Sequence, residues 1–261
     1  MRWKVMLDFL RDIFSALSHA AGDSADKEEP APAPDVSTVD TVTGWAGEPP
    51  YRYIDVSRWQ GTIDWAKVKA AGYRGVMIRA LGNKNLAPYV DPCFEKNYGG
   101  AKAAGIDVGV YWYSTATTQA GLDAELSMLK ETVRGKELTL PVAMDVEDPR
   151  LAALNAQELT DHVATALHKV EQMGFYAQLY TYTSFAKAHL FVGGAALHPY
   201  DVWLADYTGK APKVDFKYNA HQHTSKGSVP GITGNVDLNV TTFNYPKIIK
   251  TKGLTRLRES K

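Results

Sequence analysis

Three stretches of this 261-residue chain repeat one layout. AAGYRGVMIRA (70–80), AAGIDVGVYWY (103–113) and QMGFYAQLY (172–180) each close a helical pattern, pass a glycine and enter an apolar strand after a short gap. Gly72, Gly105 and Gly174 stand where the residue after a helix needs positive φ. Helix starts are legible as well. Asp91-Pro92 offers an N-cap and a first-turn proline, Thr117 precedes the run 118–133, and Asn155 precedes 156–173. Strands alternating with helices of ten or more residues require βαβ units and parallel pairing. The strands are expected at 52–56, 75–81, 107–113, 140–146, 177–182 and 202–206. After 206 the helices stop, and 217–223 and 235–243 read as short strands between turn-rich gaps. The expectation is an α/β fold, a β/α barrel whose last strands lack full helices. In such a barrel the site lies at the C-terminal ends of the strands.

The residues before this pattern are of another kind. Over 1–21 the apolar positions Trp3, Met6, Phe9, Leu10, Ile13, Phe14 and Leu17 follow helical spacing. Asp8, Arg11 and Asp12 interrupt the run, which excludes a spanning helix and fits poorly with a cleavable signal peptide. This reads as an amphipathic helix for a protein partner or a membrane surface. Residues 22–49 are rich in Pro, Ala, Ser and acid and read as a linker. The barrel is expected over 50–248, followed by a basic tail at 249–261. A net charge of +0 gives no sign of a nucleic-acid binder. A lone Cys93 excludes an internal disulfide framework and argues against a cysteine metal site. His221 and His223 are the only close histidine pair, so no metal or other cofactor is expected.

The strand ends carry an unusual set of side chains. RYIDVSRWQG carries Asp55, GVMIRALG carries Arg79, and VGVYWYS ends in Tyr111, Trp112 and Tyr113. PVAMDVEDP carries Asp145 and Glu147, QLYTYTS carries Tyr180 and Tyr182, VWLADY carries Trp203, Asp206 and Tyr207, and GNVDLN carries Asp237. Strand period 2 turns Asp145 and Glu147 to one side and Val146 to the other, with Cα atoms about 6.5–7 Å apart. Two carboxylates so close resist joint ionisation, so one pKa rises. A raised carboxylic acid beside an ionised one is the chemistry of glycosidic cleavage. Surrounding aromatic rings present flat apolar faces and hydroxyls to a sugar. Asp148-Pro149 lies past the strand as turn chemistry.

Residues 51–245 resemble the family 25 glycoside hydrolases, the Chalaropsis-type lysozymes of phage endolysins and bacterial muramidases. The matching blocks are IDVSRWQGTIDWAKVKAAGYRGVMIRA (54–80), GVYWYS (109–114), PVAMDVED (141–148), LYTYTSF (179–185), VWLADY (202–207) and SVPGITGNVDLNV (228–240). The resemblance implies a flattened barrel with late antiparallel strands. It also implies hydrolysis of the β-1,4 bond between N-acetylmuramic acid and N-acetylglucosamine at the bacterial cell wall. Carried over by position, Glu147 is the general acid and Asp145 the partner that orients the substrate N-acetyl group. Asp55 and Asp237 are further acids of the pocket. Tyr111, Tyr180, Trp203 and Gln222 are sugar-contacting positions, to which Tyr113, Tyr207 and Arg79 are added as strand-end neighbours. Two departures, His221-Gln222-His223 for the family's W-Q-Y and Tyr111-Trp112-Tyr113 for its Tyr-His-Phe, are expected to alter the shape or polarity of the cleft.

Two other readings stay open at this point. A chitinase-like N-acetylglucosaminidase also uses an acid pair on a strand end, but it wants a D-x-x-D-x-D-x-E run. A non-hydrolytic wall-binding module of a phage tail or effector would keep the aromatic residues without needing four acids.

Overall fold

The computed structural model describes residues 50–258. The helix expected over 1–21 and the linker over 22–49 lie outside the described residues. Eight strands close into a barrel. In chain order they are β1 (Tyr51–Val56), β2 (Gly75–Lys84), β4 (Asp107–Tyr113), β5 (Val142–Asp145), β6 (Ala177–Tyr182), β7 (Asp201–Ala205), β8 (Ala220–Gly227) and β9 (Val236–Thr241). The order β1-β9-β8-β7-β6-β5-β4-β2 is completed by the β1–β2 pairing. Pairing is parallel from β1 through β2 and β4 round to β8, and antiparallel at β8–β9 and β9–β1. The crossovers carry helices α1 (Trp65–Ala70), α2 (Phe94–Ala103), α3 (Gln119–Thr132), α4 (Ala156–Gln172) and α5 (Thr183–His189). No helix among the described residues is long and apolar enough to cross a membrane.

Alternation along the strands divides the core in two. Val76, Ile78, Val108, Val110, Val142, Met144, Val202 and Leu204 face outward and pack with Val68, Ala101, Leu126, Leu129, Val163 and Leu167 of the helices. Tyr53, Met77, Ala143, Tyr180, Trp203 and Ala220 fill the interior. Each large apolar side chain so buried contributes about 1.5–3 kcal/mol. The helix ends follow the glycine rule, with φ of 87° at Gly72, 67° at Gly105 and 97° at Gly174. Asn155 caps α4 through a reciprocal capping box with Glu158.

Three expectations change. Asp91 is not the N-cap of α2, which begins at Phe94 with Cys93 in that position. The Asp91 carboxylate instead accepts from Arg79 Nε at 2.8 Å, Cys93 N at 2.9 Å and Arg58 N at 3.1 Å, because a buried carboxylate gains more from several donors than from one cap. Strand β2 runs past 81 and turns back as β3 (Ala87–Val90), forming a hairpin. Its two-residue turn, Asn85-Leu86, has φ of 53° and 64°. A leucine there hides the turn from sequence reading, since Asn-Gly is the usual signal. Finally, a helix does follow 206: α6 (Tyr245–Thr251) closes the N-terminal end of the barrel with Tyr245 and Ile249. Beyond it, residues 252–258 are tied back by Leu138 N donating to Thr255 O and Arg258 N to Met173 O.

Candidate active site

A cleft of about 180 Å³ opens at the C-terminal ends of the barrel strands, lined by Asp55, Tyr111, Asp145, Glu147, Tyr180, Trp203, Tyr207, Gln222 and Asp237. Strand register brings them there. Asp55 of β1 lies opposite Asp237 of β9, and Asp145 of β5 opposite Tyr180 of β6. Tyr180 in turn lies opposite Trp203 of β7. Val146 is buried in the outer core, so the residues on either side of it face the cleft.

The floor is aromatic. The Trp203 ring meets Tyr180 edge-on with centroids 4.6 Å apart and Tyr111 at 6.2 Å. Its Nε1 donates to Asn239 Oδ1 at 2.8 Å, which leaves the Asn239 amide nitrogen to donate to Asp55 Oδ2 at 2.8 Å. Gln222 works in the same way. Its Oε1 accepts from the hydroxyls of Tyr180 and Tyr207, and its Nε2 donates to Asp55 Oδ2 at 2.8 Å. Two phenols on the oxygen dictate which end of the amide faces the carboxylate. Asp55 is therefore held by two amides, each with its orientation fixed from behind.

The four carboxylates crowd one another in a low-dielectric mouth. Burial, then the charges of Asp237 and Asp148, push Glu147 up to about 7. Burial also lifts Asp237 to about 6. Burial and the neighbouring Glu147 and Asp55 raise Asp145, against which the charge of Arg79 works. Asp55 is raised by burial and Asp237, opposed by its two amide donors. Asp145 Oδ1 is buried and accepts no hydrogen bond from the described residues. The arrangement can present a proton from Glu147 and a bare acceptor from Asp145 to one bound molecule.

Nine of the eleven expected site residues line this cleft. The other two, Tyr113 and Arg79, are not among the residues that line it. Tyr113 donates to Asp148 Oδ2 at 2.8 Å, and Arg79 is paired with Asp91 at 2.6 Å. Each is captured by a buried carboxylate that needs a donor more than the cleft does. Of the two departures from the family pattern, His221, His223 and Trp112 are not among the residues that line the cleft. His221 and His223 flank Gln222 and turn outward, His221 Nε2 meeting the Asp206 carbonyl at 2.9 Å. Trp112 turns outward to donate to Glu125. Asn239 was missed by sequence reading, although it stands two residues after Asp237 on the same strand face.

Residues 54–232 match the family described as Glycosyl hydrolases family 25. Over 71% of its length the chain is 30% identical to an autolytic lysozyme of Clostridium acetobutylicum, and it spans about half of that relative, 54%. The catalytic domain of an endolysin from a Listeria monocytogenes bacteriophage is 25% identical with a TM-score of 0.62, covering 80% of this chain and 100% of that one. A bacterial lysozyme from Streptomyces coelicolor shares the fold at 24% identity and a TM-score of 0.67, covering 79% of this chain and 97% of that one.

Proposed function

The chain belongs to family 25 of the glycosyl hydrolases, and from that premise we propose that it is a muramidase. It cleaves the β-1,4 bond between N-acetylmuramic acid and N-acetylglucosamine in bacterial peptidoglycan. The observation that carries this reading is one cleft holding Asp55, Asp145, Glu147 and Asp237, in which burial and carboxylate neighbours lift Glu147 to about 7. A carboxyl group with that pKa keeps a proton near neutrality and can deliver it to the leaving glycosidic oxygen.

Positive charge then develops on the sugar ring. Asp145, with an oxygen that accepts from no donor among the described residues, accepts from the substrate's N-acetyl N–H and orients its carbonyl toward the anomeric carbon. Asp55 and Asp237 lend negative charge to the same transition state. Trp203, Tyr180 and Tyr111 offer the sugar an aromatic floor, with Tyr207 at the mouth.

Glu147→Gln removes the proton source without altering side-chain size. Release of new reducing ends from purified peptidoglycan is expected to fall by about two to four orders of magnitude. Retention of wild-type lysis in that variant overturns the assignment. The identity of the new reducing end tests the bond: muramic acid is expected, and glucosamine contradicts it.

A further inference from the structure

Tyr182 ends β6, and Trp59 follows β1 in the 3₁₀ turn Arg58–Gln60. In the closed order β1-β2-β4-β5-β6-β7-β8-β9, these two strands stand on opposite sides of the barrel, with the four acids between them. Trp59 is 67% exposed and Tyr182 37%, so an aromatic face waits on either side of the mouth. The Trp59 indole stands open to solvent beside a cation. Its setting is built. The Arg58 guanidinium lies 4.6 Å from the centre of the Trp59 ring and 5.7 Å from that of Tyr89, on the β2–β3 hairpin. The Arg58 backbone N–H is tied to Asp91, which also accepts from Arg79 Nε. No carboxylate among the described residues pairs with the Arg58 side chain.

We propose that Trp59 and Arg58 form an outer binding surface for the wall glycan, with Trp59 stacking on a sugar beyond the cleft and Arg58 taking a carboxylate of its peptide substituents. The proposal rests on the muramidase reading and deepens it. A glycan crossing the mouth from Tyr182 to Trp59 passes over Glu147 and then reaches an aromatic face that carries a cation. Peptide substituents on that glycan are acidic, and a guanidinium already held near the Trp59 and Tyr89 rings meets a carboxylate with less further ordering than a free one.

The test uses the full chain carrying Glu147→Gln, so that binding is read without turnover. Binding to insoluble purified peptidoglycan is measured before and after an amidase strips its peptides. Trp59→Ala and Arg58→Gln are introduced singly, and thermal unfolding checks that each folds. Trp59→Ala is expected to weaken binding to both forms, and Arg58→Gln to weaken binding about three- to fivefold on the peptide-bearing form alone. Parent-like binding by either variant overturns the proposal, as does equal weakening of both forms by Arg58→Gln. If the unmutated chain releases no reducing ends while these binding differences persist, the surface stands and the hydrolytic reading falls.

Discussion

Asn239 and Gln222 put two amide donors on a single oxygen of Asp55. Each hydrogen bond to an ionised group is worth about 1.5–3 kcal/mol. Asn239→Leu should therefore raise the Asp55 pKa and lower kcat/KM by roughly tenfold or more. A pH–rate profile measures both, and an unchanged acidic limb would contradict the role. The alkaline limb belongs to Glu147. Its carboxyl must be protonated to act, so the rate should fall as pH rises through about 7. Weakening the Asp148 charge is expected to lower that limb, since Asp148 is one of the groups holding Glu147 up. Asp145 and Glu147 were legible in the sequence because strand period turns both to one face, and Asp55 and Asp237 because they stand at strand ends inside blocks that resemble the family. Tyr113 and Arg79 share that periodicity yet do not line the cleft, because Asp148 and Asp91 supply partners that no local spacing announces.

At the scale of the element, strands supply position and helices supply anchorage. Gly109 sits midway along β4, where an added Cβ would meet the Met77 sulfur at 2.5 Å and the Pro141 carbonyl oxygen at 2.6 Å. Gly109→Ala should push β4 away from β5 and cost about 1–3 kcal/mol, read as a lower denaturant midpoint. Activity is expected to fall with it, because Tyr111 lies two residues further along the strand. Asn155→Ala is the contrasting case. Loss of the α4 capping box should cost about 1 kcal/mol while turnover per folded molecule stays the same. The helix boundaries near Asn155 and Gly174 were readable because caps and C′ glycines act locally. The β2–β3 hairpin was not, because Leu86 adopts positive φ only under the pairing of Lys84 with Ala87 and its neighbours.

For the molecule as a whole, clustering acids in the mouth has a cost in stability that depends on pH. Glu147 and Asp237 have folded pKa values of about 7 and about 6, above their ordinary values of 4.5 and 3.8. Between the ordinary and the raised values the folded chain binds more protons than the unfolded one. The stability present below about pH 4 is thus lost progressively as pH rises through 6 and 7. Thermal unfolding should show a decline across this window attributable to the cleft. Glu147→Gln should flatten it and raise Tm at pH 7.5 by roughly 2–4 °C per kcal/mol recovered. A variant no more stable than the parent at pH 7.5 would contradict the crowding described here.

The sequence by itself determined the alternation of strands and helices, the strand faces that carry acid, and the family to which the blocks belong. The first two follow from periodicity and capping, which act over a few residues, and the third from the resemblance carried by the quoted blocks. Only the tertiary structure decided which strand-end side chains share the cleft, that Asn239 and Gln222 clamp Asp55, and that a hairpin stands beside Trp59. Those outcomes depend on barrel closure, which sets residues 167 and 184 positions from Asp55 within 2.8 Å of its carboxylate. They depend also on competition among buried donors and acceptors, which is settled only when every element is in place.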